Sequence, residues 1–252
     1  MLAETHKFIL NKALKISKGN FKEYKKDIEK GLVDEDYPHL SFNPNYFRII
    51  GSDHFYNPIN KRGYFRFSEN AKSKGLEYFN KAVFLYKKGD FKEAFIFLGK
   101  SLHMLADTAS PSHTKLEFHL IDIFEHYINN ELPKIKFKIK SKIILRISPG
   151  HCFDRLASLS YKIKYKRRFF EGLLYFLGFA LDKDKHKKLH KISNKLISET
   201  ILYSALLLTI FYSKIKNKKI KDITFSRLNK IRLKVIGVKE NIKKLSKKII
   251  KD

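Results

Sequence analysis

The side chains best suited to chemistry in this sequence lie between Asp90 and Glu125. His103, Asp107 and His113 fall within one short run, and His119, Asp122, Glu125 and His126 follow it. Imidazoles and carboxylates are the ligands zinc takes where cysteine is absent, and Cys152 is the only cysteine of the chain. A single histidine on an apolar helix face is ordinarily a hydrogen-bonded core residue. Three ligand-type residues around one helix end, with a second group just beyond, point to a metal site instead. Ions held there would make a nucleophile of water at neutral pH.

Such ligands need elements to bring them together. Asp90 is a good N-cap, and Phe91 to Asp107 has neither proline nor a β-branched run, so one helix is predicted there. On it His103 and Asp107, four apart, share a face, and Gly99 one turn earlier leaves room for another element to approach. Pro111 is expected to end the helical pattern, with His113 in the turn that follows. A preceding helix, capped by Ser68 and running to Lys87, pairs with this one through Gly89 and Asp90. Near the start, Glu4–Lys18 reads as a helix closed by Gly19 and Asn20, and His6 leads its inward face with Ile9, Leu10 and Ala13. A second helix is expected over Asn20–Lys30, ending at Gly31. The irregular stretch Leu32–Phe67 contains Asp34-Glu35-Asp36 and Asp53-His54, and loops of that length are often functional. Ile121–Leu132, Cys152–Tyr165, Phe169–Leu181 and Lys187–Tyr212 complete a helical pattern. Residues 134–140 alternate basic and apolar side chains as a strand would, with no partner strand in evidence. The fold class expected is all-α.

Composition sets the outer bounds. The chain is long enough for a large core, and its formal charge of +28 favours anionic partners: phospholipid surfaces, nucleic acids or phosphorylated substrates. From residue 214 onward lysine interleaves with Ile, Leu and Val, so the division expected is a domain at 1–213 and a basic amphipathic tail at 214–252. Thr200–Tyr212 is strongly apolar but short for a bilayer, and reads as a buried helix rather than a transmembrane span. The first residues lack the pattern of a signal peptide, which suggests a cytoplasmic or peripheral membrane location. His186 and His190 are also four apart, but among lysines on a polar face.

Taken together, these pieces resemble the zinc-dependent phospholipase C family, which includes phosphatidylcholine-preferring bacterial enzymes and clostridial alpha-toxins, with single-strand nucleases as distant relatives. The likeness covers about Thr5–Tyr212 and is most specific from His54-Phe55-Tyr56-Asn57-Pro58 through His103, Asp107, Pro111 and His113. It implies a multi-helix fold around two or three zinc ions. It also implies that His6, Asp36, His54, His103, Asp107 and His113 are ligands, with Asp107 bridging two ions and Asp36 doubling as general base. A later histidine and acid, His119 with Glu125 or Asp122, would join His113; relatives place that pair four apart, whereas His119 and Glu125 stand six apart. Secreted members complete one site with an N-terminal tryptophan, and this chain has none. The activity implied is hydrolysis of a phospholipid to diacylglycerol and a phosphorylated head group, with the tail on an anionic membrane. The rivals are a nuclease of the single-strand type and a non-catalytic binding protein with a degenerate metal site.

Overall fold

A computed structural model describes residues 1–35, 52–65, 69–117, 122–134, 148–164 and 181–217. Among these the regular structure is helical: α1 (Ala3–Ile16), α2 (Lys25–Asp34), α3 (Ala71–Lys87), α4 (Phe91–Asp107), α5 (Pro111–Lys115), α6 (Ile123–Glu131), α7 (Pro149–Tyr161) and α8 (Lys183–Ile215), with short 3-10 turns at Ser52–His54 and Leu132–Lys134. The expected strand-like segment and the helix expected at Phe169–Leu181 lie outside the described residues, apart from their end residues.

At the centre stands α4. Asp90 caps it by accepting a hydrogen bond from the Glu93 backbone N–H, and Leu98, Leu102, Met104 and Leu105 are almost wholly buried along it. Helices α3 and α2 pack on either side of it. The contact with α2 is close enough to require glycine from both partners: a Cβ on Gly99 would lie 2.1 Å from the Ile28 carbonyl oxygen, and one on Gly31 would lie 1.9 Å from the Ile96 carbonyl oxygen. The close approach expected at Gly99 is therefore present. Gly31, however, does not end its helix, because its missing side chain admits α4 and α2 continues through it to Asp34.

Three further boundaries depart from expectation for local reasons. Helix α3 begins at Ala71, where Asn70 is the cap, its side chain accepting from the Ser73 N–H at 3.0 Å. Pro111 opens a helix rather than ending one, since at the first helical position its missing N–H costs nothing; His113 thus sits within α5. Pro149 does the same for α7, behind the cap Ser148.

Helix α8 is long and apolar enough to cross a membrane, yet 78% of its most apolar stretch is buried, as in a core helix. Leu207, Leu208 and Phe211 pack into the core, where Phe211 meets Phe79 and Phe95 edge-on. The helix runs to Ile215, so a division at 213/214 would cut its last turn.

The α2–α4 crossing yields a sharp expectation. Gly99→Ala should cost roughly 1–3 kcal/mol, because the clash is with backbone that cannot rotate away. Gly150→Ala should be neutral or stabilising, since its Cβ would meet only Lys72 and Leu76 side chains at 3.6 and 3.7 Å. Urea unfolding of the two variants checks both; equal midpoints would refute the crossing.

Candidate metal centre

Asp107 is the last residue of α4 and its carboxylate is fully buried. Both burial and the negative end of the helix dipole oppose a charge there, so it must have compensation. Its two oxygens face different groups. Oδ1 lies 2.6 Å from the α-amine of Met1 and 3.3 Å from His6 Nε2. Oδ2 lies 2.6 Å from His54 Nδ1 and 3.2 Å from His103 Nε2, with His113 Nδ1 at 3.8 Å. Burial alone would raise its pKa, but the Met1 amine and the His103 and His113 rings outweigh that and hold it well below the carboxylate range.

Each imidazole is set by its scaffold. The Leu32 carbonyl at the α2–α4 crossing accepts from His103 Nδ1 at 2.8 Å, so that nitrogen carries the proton and Nε2 presents its lone pair to the cluster. His113 Nδ1 likewise donates to the His54 carbonyl at 3.1 Å, which turns Nε2 toward Glu125 Oε1, 3.5 Å away. Phe55 stacks on the His113 ring at 4.9 Å between centroids. His6, on the inward face of α1 as expected, stacks on His103 at 4.2 Å.

Whether a metal suits these residues is decided at His6. The ring is wholly buried; Nδ1 has no hydrogen-bond partner among the described residues, and Nε2 has only the Asp107 carboxylate 3.3 Å away, outside good hydrogen-bond geometry. A buried imidazole left so is costly unless something else takes its lone pair. Burial, followed by repulsion from His103, lowers its pKa to about 4, so the ring is neutral and able to ligate near pH 7. Ligand atoms of His6, His103 and Asp107 all lie within 4.8 Å of one another. The donor set is nitrogen and carboxylate oxygen, as zinc prefers.

The sequence-predicted residues divide plainly. His6, His54, His103, Asp107, His113 and Glu125 come together. Asp36 and His119 lie outside the described residues. Asp122 is the cap of α6, its Oδ1 accepting from the Phe124 N–H at 2.8 Å, whereas Glu125 in the first turn faces His113 and the Met1 amine, the latter at 3.5 Å. His186 and His190 stack on each other in α8, outside the cluster, with the His186 side chain 49% exposed. Exposure within the cluster rises from 0% at the His6 and His103 side chains to 12% at His54 and 10% at Glu125, so it opens on the His54 and Glu125 side.

Sequence reasoning missed three contributors. The Met1 nitrogen stands 2.6 Å from Asp107 Oδ1. Asp154 on α7 accepts from the Tyr56 hydroxyl at 2.5 Å and from Lys72 at 2.7 Å; burial alone would raise this carboxyl, but those hydrogen bonds hold it down. The Tyr56 backbone N–H in turn donates to the His113 carbonyl, so this bond ties α7 to the segment carrying His54. Glu35, buried, accepts from Tyr78 at 2.8 Å and pairs with Lys100 at 3.0 Å, pinning the end of α2 to α3 and α4. None of these partners is near its mate in sequence, so no local pattern announces them.

The description "Zinc dependent phospholipase C" belongs to the family whose model matches residues 5–155. A phospholipase C of Bacillus cereus is 35% identical over 120 residues, which are 43% of this chain and 41% of that protein. One of Listeria monocytogenes is 37% identical over 92 residues, 36% of this chain and 30% of the relative. The chain thus spans about two-fifths of the length of the first of these, and less of the second. In fold it is similar to the alpha-toxin of Clostridium perfringens, with a TM-score of 0.59 at 16% identity over 86% of this chain and 65% of that one. The alpha-toxin of Clostridium absonum gives 0.59 at 13% identity, over 85% and 66%.

His6 makes the metal-free protein acid-sensitive. The unfolded ring takes a proton near pH 6.5 and the folded ring only near pH 4, so between those values the unfolded chain binds more protons and stability falls as pH falls. Asp107 does not contribute in that window: its folded pKa is depressed, so its stabilisation is lost only below the unfolded value of about 4. Urea midpoints at pH 7 and pH 5 in chelator should therefore converge in His6→Gln relative to the parent. An unchanged difference would mean that the ring is protonated in the fold.

Proposed function

Since the chain belongs to the zinc-dependent phospholipase C family, we propose that it hydrolyses a phospholipid to diacylglycerol and a phosphorylated head group. The observation that carries this reading is the buried Asp107 carboxylate with its oxygens facing two groups of nitrogen donors. His6 and Asp107 would hold one zinc; His54, His103 and the other Asp107 oxygen a second; His113 and Glu125, with His119, a third. Bound there, zinc supplies Lewis-acid stabilisation of phosphoryl charge and a water-derived nucleophile near neutral pH.

The remaining work falls to the chain. Leu32 and the His54 carbonyl hold the His103 and His113 tautomers, so that both Nε2 atoms keep their lone pairs for ligation. Wholly buried His6 and His103 wall the inner side against bulk water, and the substrate enters on the His54 and Glu125 side. Asp36 is assigned the role of general base, accepting the proton of the attacking water as its oxygen bonds to phosphorus and the bond to the diacylglycerol oxygen breaks. The basic segment 214–252 is assigned to hold the protein on anionic lipid.

Asp107→Asn removes the charge and one ligating oxygen while keeping the shape. The variant should lose bound zinc by elemental analysis and fall to background on phosphatidylcholine vesicles. The net charge of +28 also suits nucleic acid, so single-stranded DNA is the parallel substrate. Cleavage of DNA with no release of diacylglycerol would replace this reading with the nuclease one, and near-normal turnover by Asp107→Asn would end both. Removal of residues 218–252, which leaves α8 whole, should weaken sedimentation with anionic vesicles and spare hydrolysis of a soluble short-chain phospholipid. Undiminished sedimentation would take the membrane role from the tail.

A further inference from the structure

The turn that follows His54 displays an apolar side chain at its tip. Ile59 is 70% exposed, and nearby Phe65 is 40% exposed. Lys61 and Arg62, both exposed, flank the tip. Ile59 follows His54 by five residues, so this apolar tip stands on the segment that carries one of the candidate ligands.

This turn is closed upon itself. The Asn57 N–H donates to the Arg62 carbonyl at 2.9 Å and the Lys61 N–H to the Asn57 carbonyl at 2.9 Å. The Asn57 side-chain oxygen accepts from the N–H groups of Ile59 and Asn60, and that of Asn60 from Arg62. Pro58 has no N–H. Every backbone N–H from residue 57 to residue 62 is therefore satisfied within the turn, and the tip can leave water without stripping it from an unpaired N–H donor.

On either side of the turn in sequence, rings link the surface to the metal centre. Phe65 packs edge-on against Tyr64, Tyr64 lies tilted on Phe55, and Phe55 stacks on His113, each pair 4.9 Å between centroids. A ladder of rings runs from the surface to the cluster, and the Tyr56–Asp154 hydrogen bond braces it from α7.

We propose that the turn 57–62, with Ile59 at its tip and Lys61 and Arg62 beside it, is a membrane-docking element that enters the headgroup region of an anionic bilayer and seats the metal centre over the lipid phosphates. Isoleucine contributes apolar burial, and Arg62, together with Lys61 whose Nζ also lies 3.5 Å from Asp154 Oδ1, contributes attraction to anionic headgroups. The choice of a lipid surface rests on the phospholipase reading. The element is distinct from the basic segment 214–252, which lies far along the chain.

The absence of tryptophan gives a clean reporter. Ile59→Trp, as the full chain, should shift its emission to the blue and be quenched by brominated acyl chains on vesicles of phosphatidylcholine with roughly a third phosphatidylglycerol. Phe84→Trp, 55% exposed near the far end of α3, should do neither. Ile59→Asp should bind those vesicles about tenfold more weakly, the scale of one buried isoleucine, while hydrolysing a monomeric short-chain phospholipid at the parental rate. Vesicle-bound Ile59→Trp with unshifted, unquenched emission, or Ile59→Asp binding as the parent does, would overturn the proposal. A quenched Ile59→Trp protein that releases no diacylglycerol would leave the docking element standing and sink the phospholipase reading. Vesicle hydrolysis with no quenching at position 59 would do the reverse.

Discussion

A negative charge fully enclosed at the C-terminal end of a helix is the constraint on which this structure turns. Asp107 has lost its water, and the dipole of α4 opposes its charge, so the carboxylate is tolerable only if the surrounding chain brings nitrogen to it. The Met1 amine and the His6, His54 and His103 rings do so from four separate places in the sequence. Protein groups alone leave the arrangement incomplete, since His6 Nδ1 is buried without a hydrogen bond and Nε2 has only the Asp107 carboxylate near it. A divalent cation relieves both sides at once, neutralising the carboxylate and accepting the imidazole lone pairs.

The scaffold can be understood as what is needed to assemble that pocket. Glycines at 31 and 99 let α2 and α4 touch backbone to backbone, and that contact puts the Leu32 carbonyl where it orients His103. The Glu35 pair with Lys100 and Tyr78 fastens the same end of α2. Tyr56 hydrogen-bonds both Asp154 and His113, joining α5 and α7 to the segment that carries His54. Cys152 takes no part in this: burial pushes its thiol up to about 12, and it is a small apolar residue of the core.

Charge and apolar surface are distributed with different purposes. The apolar half of α8 lies in the core, while the exposed Ile59 sits on a turn whose N–H groups are already satisfied. The ring stack from Phe65 through Tyr64 and Phe55 to His113 joins the exposed surface to the pocket.

Local order was legible before any coordinates. The pairing of His103 with Asp107, the Asp90 cap, the inward His6 and the space at Gly99 all follow from helical periodicity and capping, which act over a few residues. Residues with two uses were misread for that same reason: Gly31 and Pro111 carry the signature of helix ends, but one admits a neighbouring backbone and the other starts a new helix. The gathering of His6, His54, His113 and Glu125 around Asp107 was implied only by family resemblance, since nothing in spacing alone brings such distant residues together. The choice of Glu125 over Asp122 to face His113, the Met1 amine beside Asp107 and the Tyr56–Asp154 bond belong to the tertiary structure alone. A buried charge selects its partners by distance in space, and distance in space is decided by how helices pack.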